Sequence, residues 1–270
     1  MRGPVCFLSD YGLDDEFVGV VHRVIAAAAP GVAVLDITHG VPAHDVRAGA
    51  LTLWRALPWL VPCVVLGVVD PGVGTARRAV VVEVAGAGAL LVGPDNGLLL
   101  PAALALGPVT TAVELEPPER LSRGATFDGR DLFAPAAARL AAGAEPGSLG
   151  RSVDPASLDG DALSEPERLA GGALACEVLW VDRFGNAQLN ARPSDAERLG
   201  DTIEVALGDA RVRARRAGAY ADLGPGQFGL VHDSYGMLAL SLDREPAASH
   251  LGLRPGDRVV LTRGGRPSRG

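Results

Sequence analysis

The sequence contains no lysine, and this absence excludes two classes of protein. All 25 basic residues of the 270-residue chain are arginines. A Walker A phosphate loop needs a lysine to reach the phosphates of its nucleotide. An enzyme that uses pyridoxal phosphate needs a lysine to form a Schiff base with the cofactor. Neither kind of chemistry is therefore open to this protein.

Cysteine is also scarce, with three residues in the chain. Cys6, Cys63 and Cys176 each lie in an apolar segment that is typical of a buried strand. We therefore expect reduced thiols in the core rather than disulfides or metal ligands. The five histidines are scattered, and none of their spacings is typical of a zinc site. The sequence predicts no metal site.

The chain has no excess of positive charge and no long hydrophobic run. It carries 32 acidic against 25 basic residues and a net charge of -7, which makes nucleic acid an unfavourable partner. No segment reaches the roughly 18 consecutive apolar residues of a membrane span. The N-terminus leads into a strand-like segment without the pattern of a signal peptide. We expect a cytoplasmic protein with no nucleic-acid or membrane partner.

Short apolar segments alternate with helical patterns over the first half of the chain. This alternation is typical of an α/β domain with a mostly parallel central sheet covered on both faces. The last hundred residues instead contain short β-type segments separated by Gly, Pro and Asp turns, which favours a small all-β, barrel-like domain. The predicted boundaries are residues 1–160 for the α/β domain and 172–265 for the β domain. Residues 143–171, rich in Gly, Pro, Ser and Asp, are predicted to form a linker.

Polar side chains follow four of the predicted strands in the first domain, namely Asp10, His39, Asp70 and Asn96. The carboxyl ends of parallel strands meet at one edge of a sheet, where ligands bind in open α/β folds. Arg77 follows Asp70 after a glycine-rich loop. Together these residues predict a polar cleft for a small molecule, in which Asp10 could accept hydrogen bonds from ribose hydroxyls. The alternative is a structural Asp–Arg pair within a turn.

A second group of polar and aromatic side chains follows a β-type segment of the C-terminal half. Asp182 could accept hydrogen bonds from an amine, Phe184 could stack on a ring, and Asn186 could bond a ring edge. The alternative is an ordinary β-turn, in which Asp, Gly and Asn are common.

Six stretches together resemble the S-adenosyl-L-methionine hydrolase family (S-adenosyl-L-methionine hydroxide adenosyltransferases), which is related to fluorinases and chlorinases. They are residues 8–19, 36–39, 69–77, 93–97, 126–131 and 182–186. The resemblance spans nearly the whole chain. It implies an N-terminal α/β domain, a C-terminal β-barrel and a homotrimer. It also implies active sites at subunit interfaces, between the N-terminal domain of one subunit and the C-terminal domain of the next.

The resemblance implies six substrate-binding residues, which are Asp10, Asn96, Asp182, Phe184, Asn186 and Ser234. Asp10 would hold the ribose hydroxyls. Asp182 would bind the amine of the methionine moiety, and Ser234 would bind its carboxylate. Phe184 and Asn186 would flank the adenine.

The family's hydrolases handle the attacking water with an Asp, an Arg and a His. Asp70 and Arg77 match the first two, and Asp128 stands where the family motif has the histidine. The implied reaction is attack of water on C5′ of S-adenosyl-L-methionine, giving adenosine and L-methionine without a cofactor. Arg77 would orient the water and Asp70 would accept its proton. Asp128 places a second carboxylate nearby, so either aspartate could be the base while the other anchors Arg77.

Two other functions remain open at the level of the sequence. The missing histidine suggests a protein that binds S-adenosyl-L-methionine or adenosine with weakened catalysis. The relationship to halogenases suggests an adenosyltransferase with another nucleophile, such as a halide. The halogenases carry a tyrosine in place of Asp70, and a carboxylate at this position would repel a halide.

Overall fold

The structure, a computed structural model, describes residues 2–116 and 126–264. The chain divides into two compact units, the first reaching to Ala162 and the second beginning at Leu163. Residues 1 and 265, which bound the predicted domains, lie outside the described residues. Among the helices of the described ranges, none has the length and apolar character needed to cross a membrane.

The first unit is built on a seven-stranded sheet. Its strands in chain order are β1 (Val5–Ser9), β2 (Val34–Thr38), β3 (Cys63–Val68), β4 (Ala79–Val84), β5 (Ala89–Pro94), β6 (Val109–Leu115) and β7 (Gly150–Val153). Their order across the sheet is β2-β1-β3-β5-β4-β6-β7. The four strands β2, β1, β3 and β5 pair in parallel, and β4, β6 and β7 continue the sheet through antiparallel pairings.

Helices cover both faces of this sheet. They are α1 (Phe17–Ala28), α2 (Val46–Ala56), α3 (Leu100–Leu106) and α4 (Ala134–Ala141). On one face, Val64 and Leu66 of β3 belong to a core cluster with Ile25 of α1 and Leu140 of α4. On the other, Gly67 lies close to Leu53 of α2. Every residue of β3 is buried, as its continuous apolar sequence predicts for a strand covered on both faces. The predicted α/β domain with its mostly parallel sheet is confirmed.

Part of the stretch expected as a linker, residues 143–171, belongs to the sheet of the first unit. Strand β7 pairs antiparallel with β6, and Gly150 lies opposite Leu115. A Cβ at Gly150 would lie 1.9 Å from the carbonyl oxygen of Glu114, so this close approach of two backbones requires glycine. Because β7 is a short edge strand without buried residues, its sequence carries no alternating apolar pattern.

The second unit contains a closed barrel. Its strands are β8 (Glu167–Arg168), β9 (Leu174–Val181), β10 (Ala187–Leu189), β11 (Thr202–Leu207), β12 (Ala210–Ala217), β13 (Phe228–His232), β14 (Leu238–Leu242) and β15 (Arg258–Arg263), with helix α5 (Ala247–Leu251) before the last. The order is β10-β14-β13-β12-β11-β15-β9-β8, and β9 also pairs with β10. This last pairing closes seven strands into a ring, to which β8 is attached. The predicted barrel-like domain is confirmed.

The cysteines are buried thiols, as predicted. Cys6, Cys63 and Cys176 form no disulfide in the described part of the chain. Burial, with a smaller contribution from the charge of Asp195, raises the pKa of the Cys176 thiol to about 12. A thiol with so high a pKa stays protonated at neutral pH and is a poor nucleophile.

Candidate active site

Four neighbouring strands end in polar residues at one edge of the sheet. The order β2-β1-β3-β5 places the ends that carry His39, Asp10, Asp70 and Asn96 side by side. The loops are tied together across the strands. The N–H of Asp10 donates to the carbonyl oxygen of Val68 at 3.4 Å, and Nδ2 of Asn96 donates to that of Val69 at 2.9 Å. This edge is where ligands bind in open α/β sheets.

The guanidinium of Arg77 joins two carboxylates at this edge. Its Nε donates to the two side-chain oxygens of Asp70 at 3.0 and 3.1 Å, and Nη2 also bonds Oδ2 of Asp70. The same Nη2 lies 2.5 Å from Oδ2 of Asp128. The three side chains are nearly buried, with exposed fractions of 12% for Arg77, 6% for Asp70 and 15% for Asp128. One cation between two carboxylates leaves the cluster with a net negative charge.

The loop between β3 and β4 folds so that Arg77 returns to Asp70. The N–H of Val73 donates to the carbonyl oxygen of Asp70 at 3.3 Å, and Oγ1 of Thr75 donates to that of Gly72 at 2.6 Å. The guanidinium carbon of Arg77 also lies 5.1 Å from the centroid of the Phe133 ring, within the range of a cation–π contact. Burial lowers the pKa of Arg77, but Asp70 and Asp128 outweigh this effect and raise it overall, so the side chain stays cationic.

Tyr11 belongs to the same cluster, although it was not predicted from the sequence. Burial raises the pKa of its hydroxyl, and the charges of Asp10, Asp70 and Asp128 raise it further, against a lowering by Arg77. The hydroxyl is therefore a neutral group among acids. Its position directly after Asp10 in the stretch around residues 8–12 is the signal that could have revealed it.

Aromatic rings and a glycine hold Tyr11 in place. Its ring centroid lies 5.5 Å from that of Phe17 and 5.7 Å from that of Phe127. A Cβ at Gly129 would lie 2.1 Å from the Tyr11 hydroxyl oxygen. Because Gly129 directly follows Asp128, the lack of a side chain there lets Tyr11 pack beside the catalytic candidate.

The carboxylate of Asp10 is held by the backbone of a neighbouring loop. Its Oδ2 accepts a hydrogen bond from the N–H of His44 at 2.9 Å. His44 has φ = 67°, a left-handed conformation that is uncommon for residues other than glycine. Such conformations cost of order 1–3 kcal/mol and cluster at binding sites. The predicted contact of Asp10 with ribose hydroxyls stays a prediction.

Arg78, the neighbour of Arg77, has a different set of partners. Its Nε donates to Oδ2 of Asp95 at 2.8 Å, and its Nη1 donates to Oγ of Ser157 at 2.9 Å. Oδ1 of Asp95 accepts from the N–H of Asp159 at 2.8 Å. Arg78 therefore connects Asp95, which follows β5, to residues 155–159. Within the described part of the chain, it forms no hydrogen bond or ion pair with Asp70.

Both polar atoms of the Asn96 side-chain amide form hydrogen bonds to the backbone. Besides the bond from Nδ2 to Val69, its Oδ1 accepts from the N–H of Leu98 at 3.2 Å. These bonds fix the backbone immediately before Asp70. A contact of Asn96 with substrate stays a prediction.

In the second unit, Asp182 organises the turn between β9 and β10. Its Oδ1 accepts from the N–H groups of Phe184 and Asn186, both at 2.9 Å. Its Oδ2 accepts from Nδ2 of Asn186 at 2.8 Å. This bonding presents the Phe184 ring, which is 71% exposed. The turn is therefore of the ordinary Asx type, and binding of substrate by Asp182, Phe184 and Asn186 stays a prediction.

A second aspartate organises the turn that carries Ser234. Oδ1 of Asp233 accepts from the N–H groups of Tyr235 at 2.8 Å and Met237 at 2.9 Å, and Ser234, which follows Asp233, is exposed. Burial raises the pKa of Tyr220, and the charges of Asp182 and Asp233 raise it further. Tyr220 therefore experiences the charges of both turns, and nothing in the sequence predicted this.

A separate group of ligand-type side chains lies beside β2. His22, Asp36 and His39 place their ligand atoms within 4.8 Å of one another. The prediction of no metal site rested on sequence spacing, and the fold brings these distant residues together.

Comparison with known proteins identifies the family. A profile of the SAM hydroxide adenosyltransferase N-terminal domain matches residues 5–150, and one of the C-terminal domain of the same family matches residues 176–260. The chain belongs to this family. Its resemblance to the family, noted from six short stretches, is thereby confirmed over both units.

Individual relatives of this chain differ in their similarity to it. An (R)-S-adenosyl-L-methionine hydrolase of Salinispora tropica is 48% identical, covering 96% of this chain and 98% of that protein. A fluorinase of an Actinoplanes species is 27% identical, covering 96% and 97%. The crystal structure of an uncharacterized conserved protein from Thermotoga maritima superposes with a TM-score of 0.88 at 32% identity, covering 96% of this chain and all of that one.

Within this member of the family, the predicted site residues fall into two groups. Asp10, Asp70, Arg77, Asn96 and Asp128 lie in the first unit, where the structure brings Asp70, Arg77 and Asp128 into direct contact. Asp182, Phe184, Asn186 and Ser234 lie in two turns of the second unit. Their assignment to particular parts of a substrate stays a prediction.

Proposed function

We propose that this protein is an enzyme that hydrolyses S-adenosyl-L-methionine to adenosine and L-methionine. The observation that carries the proposal is Arg77 held between Asp70 and Asp128, at a sheet edge that also bears Asp10. It supports a site built to hold and deprotonate one small nucleophile. The 48% identity to an (R)-S-adenosyl-L-methionine hydrolase over nearly the full length supports water as that nucleophile.

The reaction requires one bond to form and one to break. The oxygen of water attacks C5′ of the ribose while the bond between C5′ and the sulfonium sulfur breaks. The bonding electrons go to sulfur, which becomes the neutral thioether of methionine, and the water gives up one proton. Water, substrate and a base balance the equation, so we propose that no cofactor takes part. The enzyme's task is to align the water and accept its proton.

The two carboxylates have different numbers of bonds to Arg77, which favours different roles. Asp70 accepts from both Nε and Nη2 through its two oxygens. Asp128 accepts from Nη2 through one oxygen. We therefore assign Asp70 mainly to anchoring Arg77 and Asp128 to taking the proton. This assignment places the general base at the position where the family motif has a histidine, and histidine is also a common general base.

The remaining predicted residues would bind the substrate. Asp10 would accept from the ribose hydroxyls, with Asn96 as a further contact. Asp182 would bind the ammonium group of the methionine moiety and Ser234 its carboxylate. Phe184 and Asn186 would flank the adenine. Such binding at groups distant from C5′ would fix the line of attack on the reacting carbon.

The name of the Salinispora tropica relative adds a stereochemical proposal. Because the prefix L already defines the amino-acid carbon, the prefix (R) describes the sulfonium sulfur. We propose that this enzyme also prefers the (R) epimer at sulfur. A fixed ribose and a fixed methionine tail would place the S-methyl group on one side only, so one epimer would fit.

The direct test is to incubate purified protein with each sulfur epimer of S-adenosyl-L-methionine separately and to identify the products by chromatography. We expect adenosine and methionine in equal amounts, formed faster from the (R) epimer. Parallel reactions with chloride or bromide test the halogenase alternative, which predicts a 5′-halogenated adenosine. Calorimetric binding of the substrate without product would support a binding protein and overturn the proposed hydrolysis.

We also propose the homotrimer that the resemblance implies, with each active site shared by two subunits. Light scattering should then give three times the chain mass of 27.7 kDa. Mixing an Arg77 variant with an Asp182 variant should restore activity in mixed trimers, because some sites would combine two intact halves. A monomer, or no restoration after subunit exchange, would overturn this arrangement. Cytoplasmic location stays a prediction.

A further inference from the structure

Two histidines and one aspartate meet at the edge strand β2, outside the Asp70 cluster. His22 comes from α1, Asp36 from β2, and His39 from the residue after β2. Nε2 of His22 lies 2.8 Å from Oδ1 of Asp36, and Nε2 of His39 lies 3.1 Å from the same oxygen. Two imidazoles and a carboxylate are the ligands that zinc and other divalent transition metals bind.

His39 provides the second, independent observation. The residue is 5% exposed, and its buried Nε2 makes no hydrogen bond of acceptable geometry within the described residues, although it faces Asp36. A buried polar atom whose nearest polar contact is poorly aligned keeps part of the free-energy cost of a lost hydrogen bond, and such atoms call for an explanation such as an ion. A metal bound to this nitrogen would remove that cost.

The other ring nitrogen of His39 is already bonded. Nδ1 lies 2.7 Å from Oγ of Ser9. If Nδ1 carries the proton and donates it to Ser9, Nε2 presents its lone pair towards Asp36 and His22. A metal-ligating histidine nearly always has such a partner on its second nitrogen, which fixes the ring and its tautomer. The T-shaped contact with Phe7, at 4.6 Å between ring centroids, further fixes the imidazole.

Two of the three separations between ligand atoms are close to those of a tetrahedral zinc site, and the third, between the two imidazole nitrogens, is within 4.8 Å. With bonds of about 2.0–2.1 Å, ligand atoms on zinc lie about 3.3 Å apart. The observed separations of 2.8 and 3.1 Å need to widen only slightly to admit the ion. His22 and Asp36 are 35% and 42% exposed, which leaves a path for the ion and room for water at a fourth position.

We propose that His22, Asp36 and His39 form a binding site for a divalent transition metal ion, of which Zn²⁺ is the ion tested. The ion would join α1 to the edge strand β2. Because the N–H of Gly12 donates to the carbonyl oxygen of His39 at 2.8 Å, it would also steady the loop that begins at Asp10. The site lies outside the Asp70 cluster, and the proposal stands independently of the proposed hydrolysis.

The test is titration of chelator-treated full-length protein with Zn²⁺ by calorimetry, and with Co²⁺ by visible spectroscopy. His22→Gln and Asp36→Asn are the main variants, because both side chains are partly exposed and their replacement leaves the core intact. His250→Gln is the matched control. His250 also pairs with an acid, at 2.6 Å from Glu245, but among the residues that the structure describes no third ligand accompanies it.

We expect one Zn²⁺ per chain, a Co²⁺ spectrum of low coordination number, and a rise in Tm on addition of metal. Each main variant should weaken binding by more than the roughly 10–100-fold that loss of an outer partner costs. Ser9→Ala should fall within that range, and His250→Gln should bind as the wild type does. If the wild type binds no metal, or if the His22 and Asp36 variants bind it as tightly as the wild type does, the proposal is overturned. The three side chains would then form a metal-independent His–Asp–His network.

Discussion

Nη2 of Arg77 lies 2.5 Å from Oδ2 of Asp128, although the two residues are 51 positions apart in the chain. The contact joins the loop after β3 to the turn before α4. It places a carboxylate where the resemblance to the family implies a histidine, and it keeps that carboxylate beside a cation. The hydrolytic proposal therefore rests on what Asp128 can do with a water molecule.

Replacing Asp128 tests this directly. We expect Asp128→Asn to lower kcat by about 10²–10⁴-fold, the usual contribution of a general base. Asp128→His should keep or raise the rate, because it restores a base of the kind that the family motif contains. Steady-state kinetics on the two variants measures both effects. An inactive Asp128→His variant that folds normally would show that the aspartate has a role that histidine cannot take.

The neighbouring arginines should respond differently to the same substitution. Arg77→Lys keeps the charge but loses the planar fork that holds two carboxylates. We expect kcat to fall by about 10²–10³-fold, as on removal of one preorganised donor. Arg78→Lys, whose partners are Asp95 and Ser157, should lower Tm and leave kcat unchanged. Equal effects of both variants on kcat would argue against a special role for Arg77.

A methyl group at Gly129 should collide with Tyr11. The Cβ of Gly129→Ala would lie 2.1 Å from the Tyr11 hydroxyl oxygen, so we expect a loss of about 1–3 kcal/mol of stability together with reduced activity. Adding Tyr11→Phe removes that oxygen, and the next atom of residue 11 lies at 3.2 Å. The double variant should therefore recover much of the loss.

Gly147→Ala is the control for this experiment, because nothing lies within 4 Å of the added Cβ. Denaturant unfolding is measured for the wild type, Gly129→Ala, Tyr11→Phe, the double variant and the Gly147→Ala control. If the effects of Gly129→Ala and Tyr11→Phe simply add, the two residues are not coupled as the packing requires.

The raised pKa of Tyr11 makes a prediction about pH. A phenol loses its proton, and becomes charged, as the pH passes its pKa. Burial and three nearby acids raise this pKa, so the hydroxyl stays protonated over the working range. We expect the alkaline side of the kcat/KM profile, from about pH 7 to about pH 10, to be the same for the wild type and Tyr11→Phe. An alkaline decline that disappears in the variant would contradict this.

Two substitutions at Asp182 distinguish the role of its charge from its role as a hydrogen-bond acceptor within the turn. Asp182→Asn keeps an Oδ1 that can accept from the N–H groups of Phe184 and Asn186, whereas Asp182→Ala removes all three acceptor contacts. If the carboxylate binds the substrate ammonium, Asp182→Asn should raise KM about 10–100-fold, which corresponds to the 1.5–3 kcal/mol of a charged hydrogen bond. A normal KM for Asp182→Asn with a raised KM for Asp182→Ala would leave only the structural role.

The sequence predicts most of the elements because their signals are local. The apolar run that became β3 and the helix pattern from Val46 to Ala56 need no knowledge of distant residues. Strand β7 could not be predicted in this way, because it forms through pairing with β6 and has no alternating apolar pattern of its own. The same holds for the pairing of β9 with β10 that closes the barrel.

The site was predictable in part, for a related reason. Sheet order places Asp10 and Asp70 at one edge, and this follows from the rule for parallel strands. The approach of Tyr11 to Gly129 and the bonds of Asn96 to the backbone depend on loop conformation, which no pattern encodes. His22 and Asp36 are 14 residues apart and meet only because α1 packs beside β2. The prediction of no metal site rested on spacing alone and could not include this contact.

Hydrolysis in water labelled with oxygen-18 tests the central claim most directly. Attack of water on C5′ puts the label into the 5′-hydroxyl of adenosine and leaves methionine unlabelled. Mass spectrometry of the separated products should therefore find one heavy oxygen in each adenosine formed by the wild type, and a greatly reduced yield from Arg77→Lys. Unlabelled adenosine, or no adenosine at any pH from about 6 to 9, would contradict the account.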